Sequence, residues 1–191
     1  MYAAALQDWN GPMTNTLDLV AASSTGSTHS PLGGLRAVVL LLATVLCGLQ
    51  AGTYYTWATG VMPGLAGVDD HGFVSTMQHV NVAIVNPLFM LSFLGAPLLA
   101  AVAVLTSGSA ARPWTVAALL LALATVVVSA VGNIPLNDAL AAAGPVDRLS
   151  DLAAAREHFE TLWVRWNVVR TFTSTGALGL LVWAGLRAVH A

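Results

Sequence analysis

The chain has 191 residues, of which 57% are hydrophobic and only 8% charged, with a formal net charge of −2. A water-soluble domain carries about a quarter charged residues, which argues against a soluble globular protein; the basic residues are all arginine and nowhere clustered, so nucleic acid is not a partner. The single cysteine, Cys47, rules out an intrachain disulfide and a paired-cysteine metal site.

Residues 1–32 are rich in Ser, Thr, Ala and Gly and lack a basic segment before an apolar run. They read as a flexible tail rather than a cleaved signal peptide. Residues 33–191 form one membrane domain. Four apolar stretches follow, at about residues 37–57, 82–105, 114–131 and 168–189. Each is long enough to cross a bilayer, for which a helix needs roughly 20 residues. The expected fold is all-α: an integral membrane four-helix bundle, up-down-up-down, with short interfacial helices in the first and third connections. Arg36, Arg112 and Arg187 fall on one side, whereas the first connection has no basic residue. The positive-inside rule then puts both termini in the cytoplasm of a multi-pass cell-membrane protein.

The first span contains Gly48 and Gly52, a small-xxx-small spacing that lets helices approach closely and permits a homo-oligomer. Tyr54, Tyr55 and Trp57 follow as an interfacial belt, unless Tyr54 or Tyr55 faces a pocket and donates a hydrogen bond there. Residues 59–65, with Pro63, break the helix. A short helix is expected over 69–80, capped by Asp69 or Asp70. Asn86-Pro87 predicts a kink in the second span. Asn133 and Asn137, four apart, share a face, and Pro135 distorts that turn. Residues 150–162 read as an amphipathic helix lying on the outer membrane face, capped by Ser150 or Asp151.

Two constellations carry chemistry. His71, His79 and His158 fall on one side of the expected membrane with several carboxylates, which gives an alternative metal site. Their spacing is unspecific: His71 and His79 stand about 80° apart on a helix, and interfacial histidines bonded to water or backbone fit equally. The second set is polar residues within or beside apolar stretches: Gln50, Gln78, Asn81, Asn86, Asn133, Asn137, Asn167 and Arg170. Such groups are costly in lipid and turn to the bundle interior. Trp163, Trp166, Asn167 and Arg170 lie at spacings that share a helix face. They suit a slot for a flat, oxygen-bearing aromatic molecule; a tryptophan belt with Arg170 reaching to headgroups is the structural alternative.

With these residues in view, the sequence resembles the anthrone oxygenase-like family of small four-span membrane proteins. The resemblance is carried by Tyr54-Tyr55, Met62-Pro63, Gln78-His79-Val80-Asn81, Asn86-Pro87, Asn133-Ile134-Pro135-Leu136-Asn137 and Trp163 with Trp166-Asn167 and Arg170-Thr171, and covers residues 35–189. It implies oxidation of an anthrone to an anthraquinone by molecular oxygen as co-substrate, with no organic cofactor bound. The roles follow from the chemistry rather than from the resemblance. A base must take a proton from the methylene beside the carbonyl, donors must hold the resulting oxyanion, and the slot must be dry. His79 is the expected base, so that His79→Ala would abolish oxidation. Arg170, Asn167 and Asn81 are the expected oxyanion donors, and Trp163, Trp166, Tyr54, Asn137 and Gln78 the expected substrate contacts. The expected partners are the lipid bilayer and a lipophilic aromatic molecule. The competing expectations are a non-enzymatic membrane protein (a binder, transport component or assembly partner) and a metal-dependent redox protein using His71, His79 and His158.

Overall fold

The structure, a computed structural model, describes residues 31–189, and among these every regular element is helical. The expected flexible tail, apart from Pro31 and Leu32, lies outside the described residues, as do His29 and His190. The first helix, α1, is α-helical over Pro31–Thr56, passes through a π turn at Trp57–Val61 and resumes over Met62–Leu65. Then come α2 (Asp70–Ala83) and α3 (Pro87–Thr106). Helix α4 runs over Arg112–Val128, through a second π turn at Ser129–Asn133, and on to Ala142. A 3-10 turn (Val146–Arg148) leads to α5, a single helix of 38 residues, Leu152–Val189. Three helices, Leu32–Leu65, Pro87–Thr106 and Arg112–Ala142, are long and apolar enough to cross a membrane; the chain is a membrane protein.

Several expected boundaries shift, each for a local reason. The anticipated break at 59–65 is a continuation of α1, and the second π turn likewise carries α4 past its expected end. Each π turn stands two residues before a proline: Val61 before Pro63, and Asn133 before Pro135. Proline offers no N–H to the carbonyl four residues back, and its ring presses on that carbonyl. Widening the turn relieves both problems: Met62 N–H donates to Trp57 O, and Ile134 N–H donates to Ser129 O.

The second span is broken rather than kinked. Helix α2 ends at Ala83, and Asn86, in extended conformation, caps α3 by accepting from Leu88 N and Phe89 N at 3.1 and 3.0 Å. Asp69 caps α2 through Gly72 N. The amphipathic segment at 150–162 is not a separate helix but the first turns of α5, which Asp151 caps through Ala154 N. The expected fourth span, within α5, is not among the three apolar helices. Its hydroxyls at Thr171, Thr173, Ser174 and Thr175, with Arg187, lower its hydropathy, although Thr171, Thr173 and Ser174 return their hydrogen bonds to their own backbone.

Two cores result. In one, small residues such as Ala43, Cys47, Ala96, Ala100, Ala118, Ala122 and Ala177 are buried between helices, while Leu41, Leu49, Leu91, Leu98 and Leu120 point outward. Small inward and large outward is the packing that lipid allows, because surrounding acyl chains carry no penalty for an exposed leucine. Gln50 Nε2 donates to Ser92 Oγ across helices at 2.7 Å, and the Thr125 and Thr173 hydroxyls meet at 2.7 Å. Gly48 and Gly52 form no tight crossing within the chain. A Cβ at Gly52 would meet nothing within 4 Å.

The second core joins α2 to the far ends of α1 and α4 and the start of α5. Met62, Phe73, Val74, Met77, Leu140, Phe159 and Trp163 fill it. Arg156 ties its outside together. It donates to Glu160 at 2.7 Å, to Asp70 at 3.1 Å and to the Val68 carbonyl at 2.8 Å, and it lies over the Phe73 ring. The hydrogen bond to Glu160, foremost, holds Arg156 protonated beyond its ordinary range.

Candidate functional site

Between these two cores lies a cavity of about 300 Å³. Its walls come from α1 (Tyr54 and Trp57), the end of α2 with the α2–α3 break, the first turns of α3, the second π turn and α5. The π turns build part of it directly, since Trp57, Ser129 and Asn133 all belong to them. π turns inserted in α-helices recur at functional sites.

Arg170 is the central charge. It is 8% exposed, and no carboxylate pairs with it among the described residues. Its guanidinium carbon lies 4.5 Å from the Tyr54 ring centre and 5.2 Å from that of Trp163. One amino nitrogen donates to Asn167 Oδ1 at 2.9 Å, while its Nε has no partner. An unpaired buried cation is costly, so the cavity it lines is suited to an anion or a strongly polarised oxygen. Among the described residues four buried side-chain atoms lack a hydrogen-bond partner, and three of them, Asn81 Nδ2, Asn133 Oδ1 and Arg170 Nε, belong to cavity-lining residues.

The expected site residues divide into three groups. Arg170, Asn81, Tyr54, Trp163 and Asn137 all line the cavity. Tyr54 donates to Gln50 Oε1, and Asn137 Oδ1 accepts from the Trp163 indole at 2.9 Å, which fixes that ring. Asn167 and Trp166 stand behind the wall. One N–H of Asn167 Nδ2 donates to the Tyr54 carbonyl at 3.0 Å, and its Oδ1 accepts from Arg170. It holds Arg170 and bridges α5 to α1, and it is not among the residues of the cavity wall, where an oxyanion donor was expected. Trp166 packs on Gly132, where a Cβ would come within 2.5 Å of the indole.

The third group is placed elsewhere. His79 is exposed, off the cavity wall, and its Nδ1–H donates to Ser75 O at 2.7 Å, one turn back in α2. Its neighbours Val80 and Asn81 face the cavity instead. Gln78 donates to the Leu140 and Gly144 carbonyls at 3.0 and 2.9 Å, closing the end of α4. The three histidines do not converge. His71 pairs with Asp147 at 3.0 Å, and His158 borders a separate apolar cavity of about 130 Å³. Among the described residues no group of three His, Cys, Asp or Glu could hold a metal.

Residues without an assigned role in the sequence reading complete the wall. Ser129 and Asn133 come from the second π turn, Phe89 and Phe93 from α3, and Asp138 is the one carboxylate on the wall. The signal for the first two is Pro135, whose spacing from Ser129 and Asn133 matches that of Pro63 from Trp57 and Val61.

The fold and site define a class: a helical membrane protein whose apolar helices enclose an aromatic cavity around a buried, unpaired arginine. Residues 77–180, more than half of the chain, match the family model described as anthrone oxygenase, and the chain belongs to that family. The matched stretch holds every wall residue except those of α1. No curated protein and no solved structure matches the chain.

Proposed function

We propose that the protein is a membrane-embedded oxygenase that converts a lipophilic polycyclic phenol of the anthrone type to its quinone with molecular oxygen. The observation that carries this is the buried Arg170, unpaired and lining the cavity beside Asn81 and aromatic rings. Family membership supports the oxygenase class. The arrangement in the bilayer that suits it is four spans, up-down-up-down, with residues 168–189 of α5 as the fourth and the termini cytoplasmic.

An anthrone has a methylene made acidic by its conjugated carbonyl. Asp138 takes the base role in place of His79, because it lines the cavity and His79 does not. Its carboxylate removes one methylene proton. The electron pair delocalises onto the carbonyl oxygen, which Arg170 Nε and Asn81 Nδ2 stabilise; such charge stabilisation is the largest single contribution in many enzymes. The carbanion passes one electron to oxygen, and the two radicals combine to form a carbon–oxygen bond. Asp138 returns the proton to give a hydroperoxide. It then removes the second hydrogen on that carbon as the O–O bond breaks, and hydroxide leaves as water. The substrate supplies all the electrons, one oxygen atom stays in the new carbonyl, and no other reductant is required. Tyr54, Trp163 and Phe93 form apolar walls that exclude water.

The test is oxygen uptake by the purified, detergent-solubilised protein with a simple anthrone, with and without a chelator. Uptake above the spontaneous rate and indifferent to chelator is expected. Uptake that chelator abolishes would return the chemistry to a metal.

A further inference from the structure

Asn133 carries a requirement that the oxyanion chemistry does not use. Its Nδ2 donates to the Trp163 carbonyl at 3.1 Å. A carbonyl only accepts, so the amide has one orientation and Oδ1 cannot exchange places with Nδ2. That oxygen is left without a partner, on a residue 1% exposed that lines the cavity. The side chain is also fixed in place. It belongs to the second π turn, where Trp166 packs directly on the neighbouring Gly132.

The cavity therefore presents two kinds of unmet group. Arg170 Nε and Asn81 Nδ2 are donors and await an acceptor; Asn133 Oδ1 is an acceptor and awaits a donor. Water can meet Asn133 while the cavity is empty, but an occupant that displaces the water must replace its hydrogen bond or lose affinity. A bare polycyclic ketone has an oxygen for Arg170 and nothing for Asn133.

We propose that Asn133 is a specificity-determining residue that demands a hydroxyl on the substrate, separate from the oxygen held by Arg170. This rests on the oxygenase reading above. The ligand class is thereby narrowed to polycyclic ketones or quinones bearing a free phenolic O–H that is not engaged by the molecule's own carbonyl. A site built to accept from a hydroxyl rejects the analogue without one strongly, because its own buried acceptor stays unpaired.

The experiment measures binding of product analogues by quenching of tryptophan fluorescence, with the full-length protein in detergent and at mildly acidic pH, where the phenol keeps its proton. Three ligands are compared: unsubstituted anthraquinone, an anthraquinone with one hydroxyl remote from its carbonyls, and the O-methyl ether of the latter. Wild type is expected to prefer the hydroxylated ligand over both others by about 100-fold. In Asn133→Leu that preference should fall to within about 3-fold, with affinity for unsubstituted anthraquinone rising because the unpaired acceptor is gone. Equal binding of all three by wild type overturns the role of Asn133 and leaves the oxygenase reading standing. So does a preference that persists in folded Asn133→Leu. Binding of none of them overturns the oxygenase reading and this inference with it. If the variant does not fold, the wild-type comparison of phenol with ether still decides.

Discussion

The two cores of this protein pack by different means. In the alanine seam, helices approach because their facing residues are small, and the large apolar side chains point outward. In the aromatic core, Phe73 meets Phe159 edge to face, Phe159 stacks on Trp163, and Arg156 clamps the outside. The cavity lies where the two meet, and there the rules of both are broken. An unpaired cation with an unsatisfied Nε, and the unsatisfied Asn81 Nδ2 and Asn133 Oδ1, lie there beside aromatic rings. Outside the junction, Ser107 Oγ is the one buried side-chain atom without a partner among the described residues; the junction holds the other three and is satisfied only by something that enters it. Functional sites are where such local inconsistency is expected.

The sharpest way to break this contrast is to remove the charge. Arg170→Met should lower oxygen uptake with anthrone by about 1000-fold, the scale of losing a preorganised oxyanion donor. The same change should leave thermal stability equal or raise it, since it deletes an uncompensated buried cation. Lost activity together with lost folding would mean that Arg170 is structural. Asp138→Asn comes next, with a fall of about 100-fold in kcat for removal of a general base. Asp138 is exposed, so circular dichroism should not change. Deuterium uptake into the anthrone methylene under anaerobic conditions should fall with kcat, and its persistence would place the base elsewhere.

Within the seam the expected effects are on stability alone. Ala100, fully buried in α3, has no room for a larger side chain. Ala100→Leu should destabilise the protein by about 1–3 kcal/mol through overpacking, whereas Leu98→Ala, two residues earlier and outward-facing, should do little. Gly132→Ala tests the junction. Its Cβ would overlap the Trp166 indole, so the π turn or the ring must move, at a cost of about 1 kcal/mol or more. Gly52→Ala, in open space, is the control. Both pairs are read from thermal unfolding in detergent. Equal shifts within a pair would remove the distinction between packed and open faces.

Much of this was legible in the sequence. The capping of α2, expected at Asp69 or Asp70, falls to Asp69, and Arg170, Trp163, Tyr54, Asn81 and Asn137, expected together from the cost of polar groups in lipid, line one cavity; four spans were expected, and three of the described helices are long and apolar enough to cross a membrane. What escaped was the backbone's answer to proline. Pro63 and Pro135 widen their helices rather than ending them, and that rotates Trp57, Ser129 and Asn133 into the cavity. Rotation about a helix axis cannot be read from one chain when most positions are apolar. For the same reason Gln78 and Asn167 looked like binding groups, whereas the structure commits both to backbone carbonyls.

His79 shows what one such rotation decides. On α2 it is adjacent to Val80 and Asn81, which line the cavity, yet a single residue is 100° around the helix. Its imidazole turns outward and closes on Ser75 O within its own helix. That hydrogen bond places the proton on Nδ1 in the neutral ring and leaves Nε2 on the exposed side, away from the cavity. Proton abstraction demands contact within hydrogen-bond reach or through one water, and a base on the outside of α2 has neither. His79→Ala should therefore change oxygen uptake by less than about 3-fold, since surface substitutions of this kind rarely exceed about 0.5 kcal/mol. A loss comparable to that of Asp138→Asn would instead require α2 to turn in the working protein, and would move the base from the mouth of α4 to the end of α2.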